Sequence, residues 1–320
     1  WLSSRTIRQM NPRPPVPPIL VLIFGILAVS TASIFIRNAQ GYAPSLVIAA
    51  YRLTLASLIL APVALTGRRE ELASLNRKSL SLGLISGFFL ALHFGAWISS
   101  LEYTSVASSV VLVSTTPLWV ALLSPFTLKE RITRNVWMGM GLALIGGIVV
   151  GLSDTCNWNG SGLVCPPINE FFKADAFFGD MLALAGALMG AGYIVIGRKL
   201  RASMSLIGYI FIVYGMAAIV LIILMFSAGY SATGYPPVAY LWFLLLALIP
   251  QLLGHSSFNW ALKYLSAAYV SISLLGEPIG STILAYIILD EVPSNIKIFG
   301  AILILVGIYL ASTGERQAKE

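Results

Sequence analysis

Apolar residues in this chain come in long runs, without the polar alternation that a water-facing strand or helix requires. Ten such runs fall at 19–36, 44–66, 80–100, 104–127, 135–153, 178–197, 205–227, 239–262, 266–289 and 295–313. Each is long enough to cross a hydrocarbon core of about 30 Å as a helix. Short polar segments rich in Gly, Pro, Lys and Arg separate them. The pattern predicts an all-α membrane protein of ten transmembrane helices. The first run is long, follows the Pro-rich stretch Pro12 to Pro18 and lacks a convincing small-x-small cleavage site, so it is expected to stay as a membrane helix rather than act as a signal peptide.

The runs also repeat. A shift of 161 residues lays the chain on itself without a gap across most of one half. Tyr103-Thr104-Ser105-Val106-Ala107 meets Tyr264-Leu265-Ser266-Ala267-Ala268, and Pro117 meets Pro278. In the same register Leu128-Lys129-Glu130 meets Leu289-Asp290-Glu291, Gly139 meets Gly300, Gly146 meets Gly307 and Arg37 meets Arg198. Each half holds five spans, and an odd number makes the second copy insert upside down relative to the first. Two inverted five-helix repeats are the design of many secondary transporters, with substrate bound near the midplane between the halves. A duplicated scaffold without transport, such as a receptor or assembly factor, is the other reading. The expected organisation is an N-terminal cytoplasmic segment (1–18), a first repeat (19–153), an outer loop (154–177), a second repeat (178–313) and a cytoplasmic tail (314–320).

Composition and charge sharpen this picture. The 320 residues are 58% hydrophobic and 10% charged, against roughly a quarter charged in a soluble domain. The net charge of +7 would suggest nucleic acid in a soluble protein. Here sixteen of the Lys and Arg residues fall in segments on one side of the ten-span arrangement, and only Arg37, Lys173 and Lys297 on the other. That bias places both termini in the cytoplasm. The expected location is a cytoplasmic (inner) membrane, with no nucleic-acid partner. Cys156 and Cys165 share the long outer loop and are candidates for a disulfide if the outside is oxidising, with two free thiols as the alternative.

Four ionisable side chains stand out within the spans: Arg52, His93, His255 and Glu277. A charge in the bilayer centre costs at least about 2.5 kcal/mol, so such residues normally face a cavity or a partner. The repeat sets His93 beside the position of His255, at related depths in opposite halves. Glu277 directly precedes Pro278, where a missing backbone donor weakens the helix. It reads either as a site for a substrate amine or a proton, or as an internal ion pair with Arg52. The two histidines read as cavity lining or as hydrogen-bonded helix contacts, and Arg52 can also snorkel to the interface. Trp97 lies one helical turn from His93, and Asn259 one turn from His255. These residues, with Trp119, Tyr193 and Tyr214, are the candidate walls of a cavity for an amphipathic solute. Pro117 and Pro278, as repeat partners, are candidate gating kinks. Small-xxx-small faces such as Gly83/Gly87 and Gly186/Gly190 let helices pack closely.

The Tyr-Ser-Ala-flavoured turns at Tyr103 to Ala107 and Tyr264 to Ala268, the Glu277-Pro278 pair and the Leu-x-Glu endings Leu128-Lys129-Glu130 and Leu289-Asp290-Glu291 resemble the drug/metabolite transporter superfamily, in its ten-helix EamA-type branch. The family's Leu-Gly-Glu lacks its Gly in both copies here. The resemblance covers nearly the whole chain and implies an exporter of amino acids, other metabolites or drugs, with bacterial amino-acid exporters as the nearest comparison.

No G-x-x-x-x-G-K-[ST] loop, HExxH or metal-spaced Cys/His cluster occurs, so no cofactor or metal is expected. An intramembrane enzyme would need a nucleophile beside His93 or His255, and Ser256 and Ser257 offer only an isolated Ser-His neighbourhood. The expected partners are a small-molecule substrate and the lipid bilayer, with protons as the candidate coupling ion, in a monomer or homodimer. The expected activity is export by alternating access, with a multidrug or nucleoside exporter as the runner-up.

Overall fold

The computed structural model describes residues 14–128, 134–155, 157–158, 162–164, 174–265 and 267–317. Cys156, Cys165, Ser266 and the loop residues Lys129 to Thr133 lie outside the described residues. So does Lys173.

Helices occupy every position at which an apolar run predicts one. They are α1 (Pro18–Gln40), α2 (Ser45–Gly67), α3 (Arg77–Tyr103), α4 (Val106–Val113 then Thr116–Leu128), α5 (Arg134–Thr155), α6 (Asp175–Arg201), α7 (Leu206–Ser227), α8 (Pro237–Ala261), α9 (Ala267–Ser273 then Gly276–Leu289) and α10 (Asn295–Gln317). Eight spans in this set are long and apolar enough to cross a membrane. The apolar stretches of α5 and α10 are shorter, Trp137–Val150 and Asn295–Gly307. Within the described residues the sole strands are Asn157–Trp158 and Leu163–Val164, which pair antiparallel in the loop after α5.

The helix starts are written locally. Asn76 accepts from the Ser79 amide at 2.8 Å to open α3, Ser105 from Ser108 at 3.2 Å to open α4, and Ser205 from Gly208 at 3.1 Å to open α7. Large apolar side chains such as Leu27, Leu58, Leu144 and Ile287 point outward and are exposed. In water a surface like this would be a liability, whereas against acyl chains it costs nothing.

Packing follows the repeat. α3 packs on α6 and α1 on α8; α4 packs on α6 and α1 on α9; α3 packs on α7 and α2 on α8. Each of these pairs becomes its partner when α1–α5 are exchanged with α6–α10. The self-related pairs α2/α7, α5/α10 and α4/α9 are in contact as well. The glycines that carry the repeat explain the α5/α10 seam. A methyl group on Gly146 would sit 2.7 Å from the Gly300 carbonyl oxygen, and one on Gly307 would sit 2.6 Å from that of Gly139. Only a bare Cα permits backbones that close.

Helices α4, α8 and α9 depart from the expected form. α4 breaks at Ser114-Thr115 and α9 at Leu274-Leu275, in matching places in the two repeats. Pro117 and Pro278 are therefore not kinks within continuous spans. They sit in the first turn of the half-helices Thr116–Leu128 and Gly276–Leu289. A first-turn residue has no intrahelical acceptor for its amide, so proline is at home there. In α8 the residues Ala247–His255, which include Pro250, wind as a π-helix. The aligned part of α3 is ordinary α-helix.

Candidate functional site

The half-helix starts of α4 and α9 meet at one cavity. Ser114, Thr116 and Pro117 line it from the first repeat, and Leu274 and Glu277 from the second. Thr116 and Glu277 are repeat partners. Glu277 is half-buried in the first turn of its half-helix, where backbone N–H groups favour a carboxylate. Discontinuous helices in corresponding positions are how inverted-repeat transporters expose backbone groups at mid-membrane depth.

Aromatic and imidazole rings form the facing wall. His93, Trp97, Tyr193, His255, Phe258 and Asn259 all line the cavity. The His93 and Trp97 rings stack with centroids 6.1 Å apart, and His93 meets His255 edge-on at 6.4 Å. His93 Nδ1 lies 2.8 Å from the Gly186 carbonyl oxygen, so the ring is both a helix contact and a cavity wall. Gly190 makes room for it, because a methyl group there would lie 2.9 Å from Nδ1.

A hydrogen-bonded chain runs from this wall into the bundle. The Tyr193 hydroxyl donates to Asn259 Oδ1 at 2.8 Å, Asn259 Nδ2 reaches the Tyr214 hydroxyl at 3.4 Å, and that hydroxyl is 3.3 Å from Ser256 Oγ. Arg52 lies deeper still. It is fully buried, its Nε donates to Gln251 Oε1 at 2.9 Å, and its guanidinium lies 4.0 Å over the Phe94 ring. It does not snorkel, and it makes no ion pair with Glu277. Its Nη1 and Nη2 have no hydrogen-bond partner.

The structure thus gathers His93, Trp97, Tyr193, His255, Asn259, Glu277 and Pro117 around one space. Arg52 and Tyr214 stand behind its wall, and the buried Pro278 is next to Glu277 without lining it. Trp119 is half-buried in the core and does not line the cavity. Ser114, Thr116, Phe94 and Gln251 are participants that charge-based reasoning passes over. Gln251 carried a signal, since a fully buried amide in a membrane span needs partners. Asp180 and Arg201 are also buried ionisable residues, and neither lines the cavity.

The cavity holds about 50 Å³. That is room for a few waters, where one needs roughly 10–15 Å³, and far less than the roughly 300 Å³ of a drug-sized pocket. This conformation is contracted. At one end a cluster ties α1, the α3/α4 turn and the α9/α10 turn together. Arg37 pairs with Glu291 at 3.2 Å and donates to the Leu101 and Thr104 carbonyls, Glu291 accepts from the Val106 amide at 2.9 Å, and Lys297 Nζ donates to Ser105 Oγ at 2.9 Å. At the other end Arg198 donates to the Leu262 carbonyl at 2.7 Å. Arg198 and Leu262 are the 161-residue counterparts of Arg37 and Leu101.

A family model described as the EamA-like transporter family matches residues 16–152 and matches again at residues 177–313. The chain belongs to that family. Membership makes it a multi-pass membrane transporter rather than an enzyme, and the double match is the two-repeat arrangement seen in the packing. Among curated relatives, the uncharacterized transporter YyaM of Bacillus subtilis is 24% identical over 304 residues, covering 92% of both chains. The pseudopaline exporter CntI of Pseudomonas aeruginosa is 22% identical over 289 residues, 90% of this chain and 93% of its own. A solved crystal structure superposes with a TM-score of 0.64 at 18% identity, over 93% of this chain and 98% of that one, and so shares the fold.

Proposed function

We propose that this EamA-family transporter exports small amphipathic metabolites, foremost amino acids including aromatic ones, across the cytoplasmic membrane by alternating access through the central cavity. The observation that carries this reading is the meeting of two repeat-related half-helix starts, Thr116-Pro117 and Gly276-Glu277-Pro278, with a wall of His, Trp and Tyr. An aromatic or aliphatic side chain suits the ring wall, and an ammonium suits Glu277. The relative CntI is named a pseudopaline exporter, which supports export as the direction of transport.

In this reading both termini are cytoplasmic by the distribution of Lys and Arg, and the Arg37–Glu291 cluster closes the outer end. Protons are the proposed coupling ion and Glu277 their carrier. The test is counterflow in proteoliposomes preloaded with a panel of amino acids, nucleosides and cationic dyes. Exchange of L-phenylalanine or another amino acid is expected; exchange confined to dyes or nucleosides would move the substrate class to drugs or nucleosides. For coupling, Glu277→Gln is expected to keep passive counterflow and lose uptake driven by a pH gradient. An unchanged response to the gradient would remove Glu277 as the proton carrier.

A further inference from the structure

Fully buried cations in proteins are paired, because leaving one unpaired costs several kcal/mol. Arg52 breaks that rule in a specific way. Gln251 holds its Nε, Phe94 takes one face of the guanidinium plane, and the edge bearing Nη1 and Nη2 has no partner. Held at one nitrogen and stacked on a ring, the guanidinium is fixed in orientation with two parallel donors unused. That fork matches the two oxygens of a carboxylate.

The neighbourhood points the same way. Trp97, which lines the cavity, also has a buried Nε1 with no acceptor. With the two Arg52 nitrogens, that makes three unused donors. Such a set calls for an acceptor-rich, negatively charged group, and the nearby acid, Glu277, is not bonded to any of them. Arg52 stands one ring behind the cavity surface, since Phe94 packs 5.1 Å from His255, which lines it. The π-helical stretch Ala247–His255 carries both Gln251 and His255. A change in its winding would move the ring that covers Arg52 together with the amide that aims it.

We propose that Arg52 is the carboxylate receptor of the transport cycle: its free Nη1 and Nη2 take the carboxylate of the solute once His255 and Phe94 move aside, with Gln251 as the positioning residue. The transported class is then carboxylate-bearing, with Glu277 available for an amine at the other end of a zwitterion. This rests on the cavity being the transport site, but not on the solute being an amino acid.

The test uses the purified full chain in detergent and three probes of similar size: L-phenylalanine, 3-phenylpropionate, which lacks the amine, and 2-phenylethylamine, which lacks the carboxylate. Melting-temperature titrations are expected to show binding of both acids and at least about tenfold weaker binding of the amine, the scale of a hydrogen bond to a charged group. In Arg52→Gln that preference is expected to vanish, and in Arg52→Lys to return only in part, since lysine keeps the charge without the fork. Should Arg52→Gln fail to fold, Gln251→Ala keeps the charge, frees its aim, and is expected to weaken both acids severalfold. Equal binding of amine and acids, or an acid preference that survives in Arg52→Gln and Gln251→Ala, overturns the proposal. An acid preference in a protein that shows no amino-acid counterflow would leave the carboxylate site standing and remove the amino-acid reading alone.

Discussion

His93 is held between two glycines of α6, bonded to the carbonyl of one and facing the bare Cα of the other. The fit has no slack. Gly190→Ala is expected to push the imidazole off its place against Trp97 and lower transport by about tenfold or more, while the protein still folds, because overpacking costs typically about 1–3 kcal/mol. Transport equal to wild type in that variant would mean that the position of His93 does not matter. Asn259 is expected to behave differently. It links Tyr193 to Tyr214, so Asn259→Ala strands buried hydroxyls at about 1–3 kcal/mol, read as a lower melting temperature in detergent. At this scale the sequence was legible wherever charge was scarce. His93, His255 and Glu277 stood out because ionisable groups are costly in lipid, and all three line the cavity. Thr116 and Gln251 did not, because neutral polar residues in membrane helices also bond their own backbone. Thr116 Oγ1 donates to the Val113 carbonyl at 2.8 Å while facing the cavity, and nothing in its residue type separates the two roles.

Among elements, hydropathy marked where helices lie but not where they stop being continuous. A run of apolar residues such as 104–127 reads as one span, yet α4 is two helices around Ser114-Thr115. The proline after the break is the trace of it, and it reads equally as a kink until the hydrogen bonds are seen. The difference is testable. A proline in a first turn can be replaced at little cost, so Pro278→Ala is expected to leave melting temperature and transport within about twofold of wild type. If the ring acts instead as a kink on which gating depends, transport in Pro278→Ala would collapse. The α5/α10 seam makes the opposite case. Gly300→Leu would place a side chain against the Gly146 carbonyl and Val150, so the folded, monodisperse yield is expected to fall sharply, whereas Gly141→Leu, which meets nothing within 4 Å, is expected to be neutral. The repeat register already pointed to Gly139, Gly146, Gly300 and Gly307; that they face one another across one seam required the packing.

Over the whole molecule the two halves use one set of contacts twice, and the arginine seats show it at single-bond resolution: Arg37 on Leu101, Arg198 on Leu262. The Arg37–Glu291 pair is about three-quarters buried on both sides, so removing it is worth more than the tenths of a kcal/mol of an exposed pair. R37Q is expected to loosen that end. A cysteine introduced at Ser114 should then react severalfold faster with a membrane-impermeant maleimide added from the Arg37 side, and an unchanged rate would show that the cluster is not what closes it. A further consequence concerns the energies of the two end states. A transporter made of two identical inverted halves would be degenerate: turning it inside out in a uniform bilayer would return the same molecule at the same free energy. Thr116 opposite Glu277 lifts that degeneracy. A carboxylate set into one half-helix start and absent from its twin would make the inward- and outward-facing forms of the proposed cycle differ in how they solvate a charge.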